Sequence, residues 1–188
     1  ELYRDLMLMS LHGQTKDALS KTRAGAWEYD VAFPGWKCTM TDLLAALGLA
    51  QLRRYPDLLA RRRSLYERYV EALSDLPLQV IEHYGEGFAS SGHLMLVRLL
   101  GHGQAFRNEL INRMAEEGVA CNVHYKPLPL LTAYKNLGFD IADFPNAFAQ
   151  FENEVTLPLH TKLSDEDVDY VAEAFHRVYA ALEAEGVA

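Results

Sequence analysis

Lys37 is the first residue whose type and position could support chemistry. It follows an aromatic turn, Phe33-Pro34-Gly35-Trp36, and precedes a long stretch that is almost free of polar residues. A single ammonium group at the tip of such a turn can bind a phosphate as a point charge. Surface lysines are common, however, and from the residues alone an exposed loop lysine without a ligand is the stronger interpretation.

His124 is the second candidate, and it lies in a segment where apolar and polar residues alternate. The alternation over residues 119–125 predicts a strand whose polar side carries Asn122 and His124 and whose other side ends in Tyr125. A proline-rich stretch follows. An imidazole at the end of a strand can bind a ligand, but a histidine that is hydrogen-bonded within the protein is also common there.

Composition and charge exclude several classes of protein. The chain has 188 residues, 49% of them hydrophobic, and a net charge of -8. An acidic chain of this kind is not expected to bind nucleic acid, and it contains no apolar run that could span a membrane. Seven histidines show no metal-ligand spacing, so no metal site is expected. Cys38 and Cys121 indicate no disulfide framework, which favours a reduced, cytoplasmic setting.

The helix that must position Lys37 is the most distinctive element of the sequence. Thr41 or Asp42 can cap it, and residues 43–52 are apolar on nearly every side. Such a helix has to be covered on nearly every side, and it is too short to cross a bilayer. It is therefore expected to lie between two layers or two subunits. Pro56 is expected to kink or restart the helix, because proline lacks an N–H and clashes with the preceding turn.

Periodicity and turn residues predict the other elements. They are a helix over residues 1–13, a surface loop over 14–30, a helix over 58–73, a strand over 93–100, a helix over 104–117, a long connection over 126–153, a short edge strand over 155–160 and a last helix from Ser164. The buried stripe of the last helix is predicted to be Val168, Val171, Phe175, Val178 and Leu182. The Arg61-Arg62-Arg63 run is expected to be solvated or paired with Glu67 and Glu71.

Two stretches resemble the signatures of one known family. Residues 33–52, FPGWKCTMTDLLAALGLAQL, resemble G-Y-(N/K)-x-(R/N)-M-T-D-x-x-A-A-L-G-x-x-Q-L, and residues 116–134, EEGVACNVHYKPLPLLTAY, resemble G-[IV]-x-x-x-x-H-[YF]-x-P-L. Both are signatures of the DegT/DnrJ/EryC1/StrS family. The resemblance implies a pyridoxal 5'-phosphate (PLP) enzyme of the aspartate-aminotransferase fold, which is α/β (fold type I) with an α+β small domain. It also implies that the protein aminates a keto-sugar on a nucleotide carrier, with an amino donor such as glutamate.

The resemblance assigns roles to individual residues. Lys37 matches the lysine variant of the first signature and is expected to reach the PLP phosphate of the partner subunit in a homodimer. Thr39 departs from the arginine or asparagine that the family carries two positions later. His124 and Tyr125 are expected to bind the nucleotide-sugar substrate or its diphosphate. The segments around three other histidines resemble framework features, so His12, His93 and His160 are expected to be structural.

The residues at the centre of the family's reaction are expected outside this sequence. None of its six lysines lies in a context like the family's S-x-x-x-x-K-x-x-x-x-G-E-G-G motif. The Schiff-base lysine is therefore expected before Glu1, and this chain, with no catalytic residue of its own, is expected to be inactive when alone. The chain opens on Glu1 rather than Met, in a helix already under way, which also indicates the later half of a longer protein.

The implied domain organisation has three parts. Residues 1–55 would end the PLP-binding large domain, with a loop and helix at the dimer interface, residues 56–74 would form a linking helix, and residues 75–188 the small α+β domain. Two alternatives remain open. The parent could be a PLP-dependent sugar dehydratase of the same superfamily, in which histidine replaces the cofactor lysine. The chain could also be a non-catalytic folding and dimerisation module.

Overall fold

A computed structural model of the chain describes residues 1–15 and 30–187. The chain forms two compact units, Glu1–Arg54 and Tyr55–Ala188. Most of the surface loop predicted over residues 14–30 lies outside the described residues.

In the first unit, helix α1 (Leu2–Ser10) ends against the aromatic turn. The helix was predicted to extend to Gly13, but its last three residues form a turn in which His12 and Gly13 have φ angles of 56° and 73°. Main-chain hydrogen bonds then join this turn to the aromatic segment: Ala32 N–H to Gly13 O at 2.8 Å, His12 N–H to Trp36 O at 2.9 Å and Cys38 N–H to Ser10 O at 2.8 Å. The backbone on either side of Lys37 is therefore fixed.

Helix α2 runs without interruption over Asp42–Ala72. The Thr41 hydroxyl accepts the Leu44 N–H at 3.4 Å, so Thr41 acts as the N-cap. The prediction of a restart at Pro56 is wrong, because the loss of one N–H inside a helix of 31 residues does not end it. Within the first unit the apolar stretch of α2 is not covered by the described residues, and Leu43 and Leu47 are 81% and 65% exposed.

The second unit is built on an antiparallel sheet with strand order β1-β4-β5. The strands are β1 (Leu78–Val80), β4 (Met95–Leu99) and β5 (Glu154–Leu157), whereas β2 (Tyr84–Gly85) and β3 (Phe88–Ala89) form a separate hairpin. β5 ends just before Pro158 and is the last strand in the order, as predicted.

Helices cover one face of this sheet and fill the connections. They are α3 (Gln104–Glu116), α4 (Thr132–Lys135), α5 (Pro145–Glu152) and α6 (Asp165–Glu185), with 3-10 turns at Leu128–Leu130 and Ile141–Asp143. The buried stripe predicted for the last helix is confirmed at all its positions. Ser164 and Asp167 form the capping box that starts this helix.

The strand predicted over residues 119–125 is wrong. One bridge pairs Asn122 with Thr156, in which each N–H donates to the other residue's carbonyl oxygen at 3.0 and 2.8 Å. Beyond it, side chains replace the hydrogen bonds that a strand ladder would supply. The Val123 N–H donates to Asn122 Oδ1 at 2.8 Å, and the His124 N–H donates to Glu154 Oε2 at 2.9 Å.

The arginine run on α2 is a structural clamp rather than a solvated face. Arg61 donates to Asp165 Oδ1 and to Leu163 O, each at 2.6 Å. Arg62 donates to the main-chain oxygens of His93 and Leu159 at 3.1 and 3.2 Å. The prediction is therefore wrong for these two arginines, because both side chains reach loops that are distant in sequence.

Arg63 follows the prediction for the run. Its Nε donates to Glu67 Oε1 at 2.7 Å, one helical turn further along α2. This pair is largely exposed, so it is expected to add little to the stability of the fold.

The turn after α1 generates a stability prediction. A Cβ added at Gly13 would lie 2.1 Å from Phe33 O, at a residue whose φ is already +73°. Gly13→Ala is expected to lower the free energy of unfolding by clearly more than the roughly 1–2 kcal/mol of left-handed strain alone. Gly118→Ala is the matched control, because Gly118 has φ +76° and no atom within 4 Å of an added Cβ. Chemical denaturation of both variants checks this, and equal losses would show that the contact with Phe33 O is unimportant.

Candidate functional site

The face of the sheet opposite the helices is polar. Met95, Val97 and Leu99 of β4 point into the core, so the residues between them point the other way. Cross-strand pairing places Arg98 beside Gln79 and Glu154 on this outer face. By the same register, Leu96 lies beside Thr156.

A buried carboxylate organises the end of this face. Glu154 is 1% exposed, and both of its side-chain oxygens accept hydrogen bonds. Oε1 accepts the Thr156 hydroxyl at 2.5 Å, and Oε2 accepts the His124 backbone N–H at 2.9 Å. The imidazole of His124 then lies with Nδ1 2.8 Å from Thr156 Oγ1. His124 is thus held at two points, by its main chain and by its ring.

A pocket of about 710 Å³ opens in front of this group. Its walls come from β1 and the residues after it, from β4, from α5 and from His124: Gln79, Val80, Ile81, Glu82, Leu96, Arg98, His124 and Gln150. Tyr125 is 74% exposed, and its ring centre lies 4.6 Å from that of His124 with the two ring planes nearly perpendicular. The predicted residues His124 and Tyr125 are therefore adjacent, with His124 in the pocket wall.

Arg98 is part of the frame of this pocket and is not a free cation. Nε donates to Asn153 Oδ1 at 3.0 Å, Nη1 to Gln79 Oε1 at 3.1 Å and Nη2 to Ala149 O at 2.9 Å. A basic side chain on the last carbonyls of a helix satisfies acceptors that the helix leaves open. Arg98 therefore fixes the end of α5 to the sheet.

Arg107 also binds a main-chain oxygen near the end of α5. It is buried, stacks over the Phe151 ring at 4.8 Å, and donates to Phe151 O at 3.1 Å. Burial lowers the pKa of Arg107, and the nearby charge of Glu154 opposes that shift. The wall of the pocket that α5 provides is thus held by two arginines.

Lys37 lies in the first unit, with its side chain exposed. It forms an isolated bridge with Leu11, which places its ammonium group on a fixed backbone.

Three other histidines contribute main-chain atoms to the fold. His12 donates its backbone N–H to Trp36 O in the turn after α1. His93 and His160 are exposed and contribute main-chain oxygens, to Arg62 and to the Leu163 N–H.

Residues 1–15 and 30–187 contain neither a candidate metal site nor a candidate membrane span. No group of His, Cys, Asp or Glu side chains in these ranges could hold a metal ion. No helix described there has the length and apolar character needed to cross a membrane.

Comparison with known proteins identifies the family. The model of the DegT/DnrJ/EryC1/StrS aminotransferase family matches residues 1–176. The chain belongs to this family. The family and the α/β fold class predicted from the two signatures are therefore confirmed.

Related sequences and structures include a polysaccharide biosynthesis protein and aminotransferases. SpsC of Bacillus subtilis, a spore coat polysaccharide biosynthesis protein, is 35% identical over 93% of this chain and 46% of its own length. Spr1654 of Streptococcus pneumoniae, assigned as a sugar aminotransferase, is 52% identical in its PMP-form, with a TM-score of 0.82 over 96% of this chain and 45% of that one. TlmJ, an aminotransferase of Streptoalloteichus hindustanus, is 31% identical with a TM-score of 0.71, over 97% of this chain and 46% of that one.

The chain spans a little under half the length of these relatives. Spr1654 is also known in a PLP-form, which is 50% identical to this chain. The lysines that the structure describes, Lys37, Lys126, Lys135 and Lys162, are all exposed, so none of these four lies in an enclosed cofactor site. Lys37 nevertheless fits a phosphate contact, since it presents one ammonium group on a rigid backbone.

The segment that carries His124 also contains a thiol that reports on its packing. Burial raises the pKa of the Cys121 thiol to about 12. At about pH 8 the folded protein is expected to hold roughly a thousandfold less Cys121 thiolate than the unfolded chain. Alkylation by iodoacetamide, followed by peptide mass spectrometry with and without urea, checks this. Rapid alkylation of Cys121 in the native protein would mean that this segment opens readily.

Proposed function

We propose that the protein to which this chain belongs is a PLP-dependent aminotransferase that transfers an amino group, from a donor such as glutamate, to a keto-sugar carried on a nucleotide. The observation that carries the proposal is the 50–52% identity with Spr1654, a sugar aminotransferase by assignment, in its PLP- and PMP-forms. The relation of SpsC to polysaccharide biosynthesis supports a sugar substrate.

His124 and Tyr125 are proposed to bind the nucleotide-sugar. The support is their position, since His124 forms part of the wall of a pocket of about 710 Å³ and Tyr125 is exposed beside it. Glu154 and Thr156 hold the imidazole from behind, which leaves its outer edge for a ligand. A ring fixed in this way loses little conformational freedom when the substrate binds.

Lys37 is proposed to contact the cofactor phosphate in the partner subunit of a homodimer. A lysine binds a phosphate as a point charge, and its long side chain costs entropy to order. The His12 N–H donates to Trp36 O and the Cys38 N–H donates to Ser10 O, and these two hydrogen bonds restrict the motion of the backbone beneath Lys37. When bound, PLP supplies the electron sink for amino-group transfer, while Lys37 holds its phosphate in place.

Transamination has two halves that can be measured separately, and His124 is expected to act in one of them. His124→Phe keeps an aromatic ring but loses the hydrogen bond, so amination of the keto-sugar is expected to slow about five- to tenfold. The half-reaction with glutamate is expected to be unchanged. Single-turnover absorbance of the intact, PLP-loaded protein measures both halves.

His160→Phe is the control for this variant, because it makes the same substitution at an exposed histidine of the same unit. Equal slowing of both halves by His124→Phe would refute the assignment of His124 to the sugar. Loss of water from the keto-sugar without consumption of glutamate would instead identify the dehydratase, and a wild-type protein that catalyses neither reaction would support a non-catalytic module.

Lys37 generates a prediction about cofactor binding. Lys37→Met keeps most of the length of the side chain and removes its charge. A charge-assisted hydrogen bond contributes about 1.5–3 kcal/mol. The affinity of the apoprotein for PLP is therefore expected to fall roughly ten- to a hundredfold, with Lys37→Arg between the variant and the wild type. Fluorescence titration measures the affinity, and Lys162→Met is the matched exposed control. An unchanged dissociation constant for Lys37→Met would remove Lys37 from the site.

A further inference from the structure

The hydrogen bonds behind His124 determine which of its ring nitrogens carries the proton. The Glu154 carboxylate accepts two hydrogen bonds and is nearly completely buried. The Thr156 hydroxyl approaches Glu154 Oε1 at 2.5 Å, a distance typical of a hydroxyl that donates to an ionised carboxylate. An ionised carboxylate can only accept, so the direction of both hydrogen bonds is fixed.

The direction of the next hydrogen bond follows from the first. A threonine hydroxyl has one hydrogen to donate, and Thr156 donates it to Glu154. The contact of 2.8 Å between Thr156 Oγ1 and His124 Nδ1 can then form only if Nδ1 carries a hydrogen and the hydroxyl oxygen accepts it. The neutral ring of His124 is therefore in its Nδ1–H form, and Nε2 has a free lone pair.

Nε2 is the nitrogen that remains for a ligand. Among the described residues, none forms a hydrogen bond with Nε2. The carboxylate oxygens of Glu154, the hydroxyl of Thr156 and Nδ1 of His124 are all engaged in hydrogen bonds within this group. His124 is half-buried and lies in the wall of the pocket of about 710 Å³. A neutral Nε2 in this form accepts hydrogen bonds and cannot donate them.

We infer that Glu154 and Thr156 are positioning residues that hold His124 as a hydrogen-bond acceptor, so that it binds a hydroxyl or N–H group of the substrate rather than a phosphate oxygen. The inference rests on the proposed function, which supplies the nucleotide-sugar as the substrate. The inference excludes the diphosphate as the contact of His124. Phosphate oxygens only accept hydrogen bonds, so they would require a donor at Nε2. A sugar hydroxyl or the N–H edge of a nucleobase fits the acceptor.

The first part of the inference is that the neutral ring of His124 carries its hydrogen on Nδ1. Nuclear magnetic resonance of the intact protein, labelled with ¹⁵N-histidine, tests this without any turnover. Above the ordinary titration range of histidine, long-range ¹H–¹⁵N correlations are expected to show His124 with a hydrogen on Nδ1 and a bare Nε2. A spectrum with the hydrogen on Nε2 would overturn the inference. His124→Phe identifies the signal by its disappearance.

Two substitutions at Thr156 separate positioning from simple packing. Thr156→Val keeps the shape but removes the hydroxyl, so the ring is expected to shift to the Nε2–H form that isolated neutral histidine prefers. Thr156→Ser keeps the hydroxyl and is expected to keep the Nδ1–H form. Should Thr156→Val retain the Nδ1–H form, Thr156 does not set the tautomer and the inference is wrong.

The rates of the two half-reactions test the second part of the inference, that Nε2 accepts a hydrogen bond from the substrate. Amination of the keto-sugar is expected to slow about fivefold in Thr156→Val and less than twofold in Thr156→Ser, since one neutral hydrogen bond is at stake. The glutamate half-reaction is expected to be equal in all three proteins. A changed tautomer without slower amination would show that Nε2 does not accept from the substrate. A wild-type protein that aminates no keto-sugar would contradict the proposed function, while the tautomer would still decide the positioning role.

Discussion

The burial of one carboxylate determines how the candidate site is built. Glu154 lies at the start of β5 with 1% of its surface exposed, and a charge in that position requires hydrogen-bond donors. The donors are the Thr156 hydroxyl and the His124 backbone N–H. The second of these takes the place of a ladder hydrogen bond, so the chain leaves the sheet after Asn122 and presents His124 to the pocket. A regular strand would have continued along β5 instead.

Much of the fold could be predicted from the sequence because local periodicity determined it. The stripe from Val168 to Leu182 recurs at helical spacing, and its residues are buried on α6 as predicted. The segment over residues 119–125 has an equally clear alternation, yet it forms a single bridge, since side-chain acceptors compete with the ladder. The prediction that Arg61 and Arg62 are solvated or paired along α2 is wrong for a related reason. Their acceptors lie on loops that only the tertiary structure brings to α2.

The candidate site could be predicted in part. A resemblance between short motifs pointed to His124 and Tyr125, and the structure places them side by side. Glu154 and Thr156 were missed, because their link to His124 spans about thirty residues and depends on the Asn122–Thr156 bridge. The polar residues that interrupt the apolar strand ending at Leu157 were the available signal. A buried glutamate at the start of a strand that also contains Val155 and Leu157 requires a hydrogen-bond donor, and Glu154 accepts one from the segment that carries His124.

In the first unit, the apolar stretch of α2 is not covered by the described residues. Leucines at 81% and 65% exposure on one helix form the kind of surface that soluble proteins normally cover. Lys37 stands just ahead of this surface, on a backbone held by hydrogen bonds to the end of α1. A lysine that reaches into a neighbouring subunit needs an adjoining surface that binds that subunit. The exposed leucines of α2 supply apolar area for such a contact, which supports the proposed homodimer.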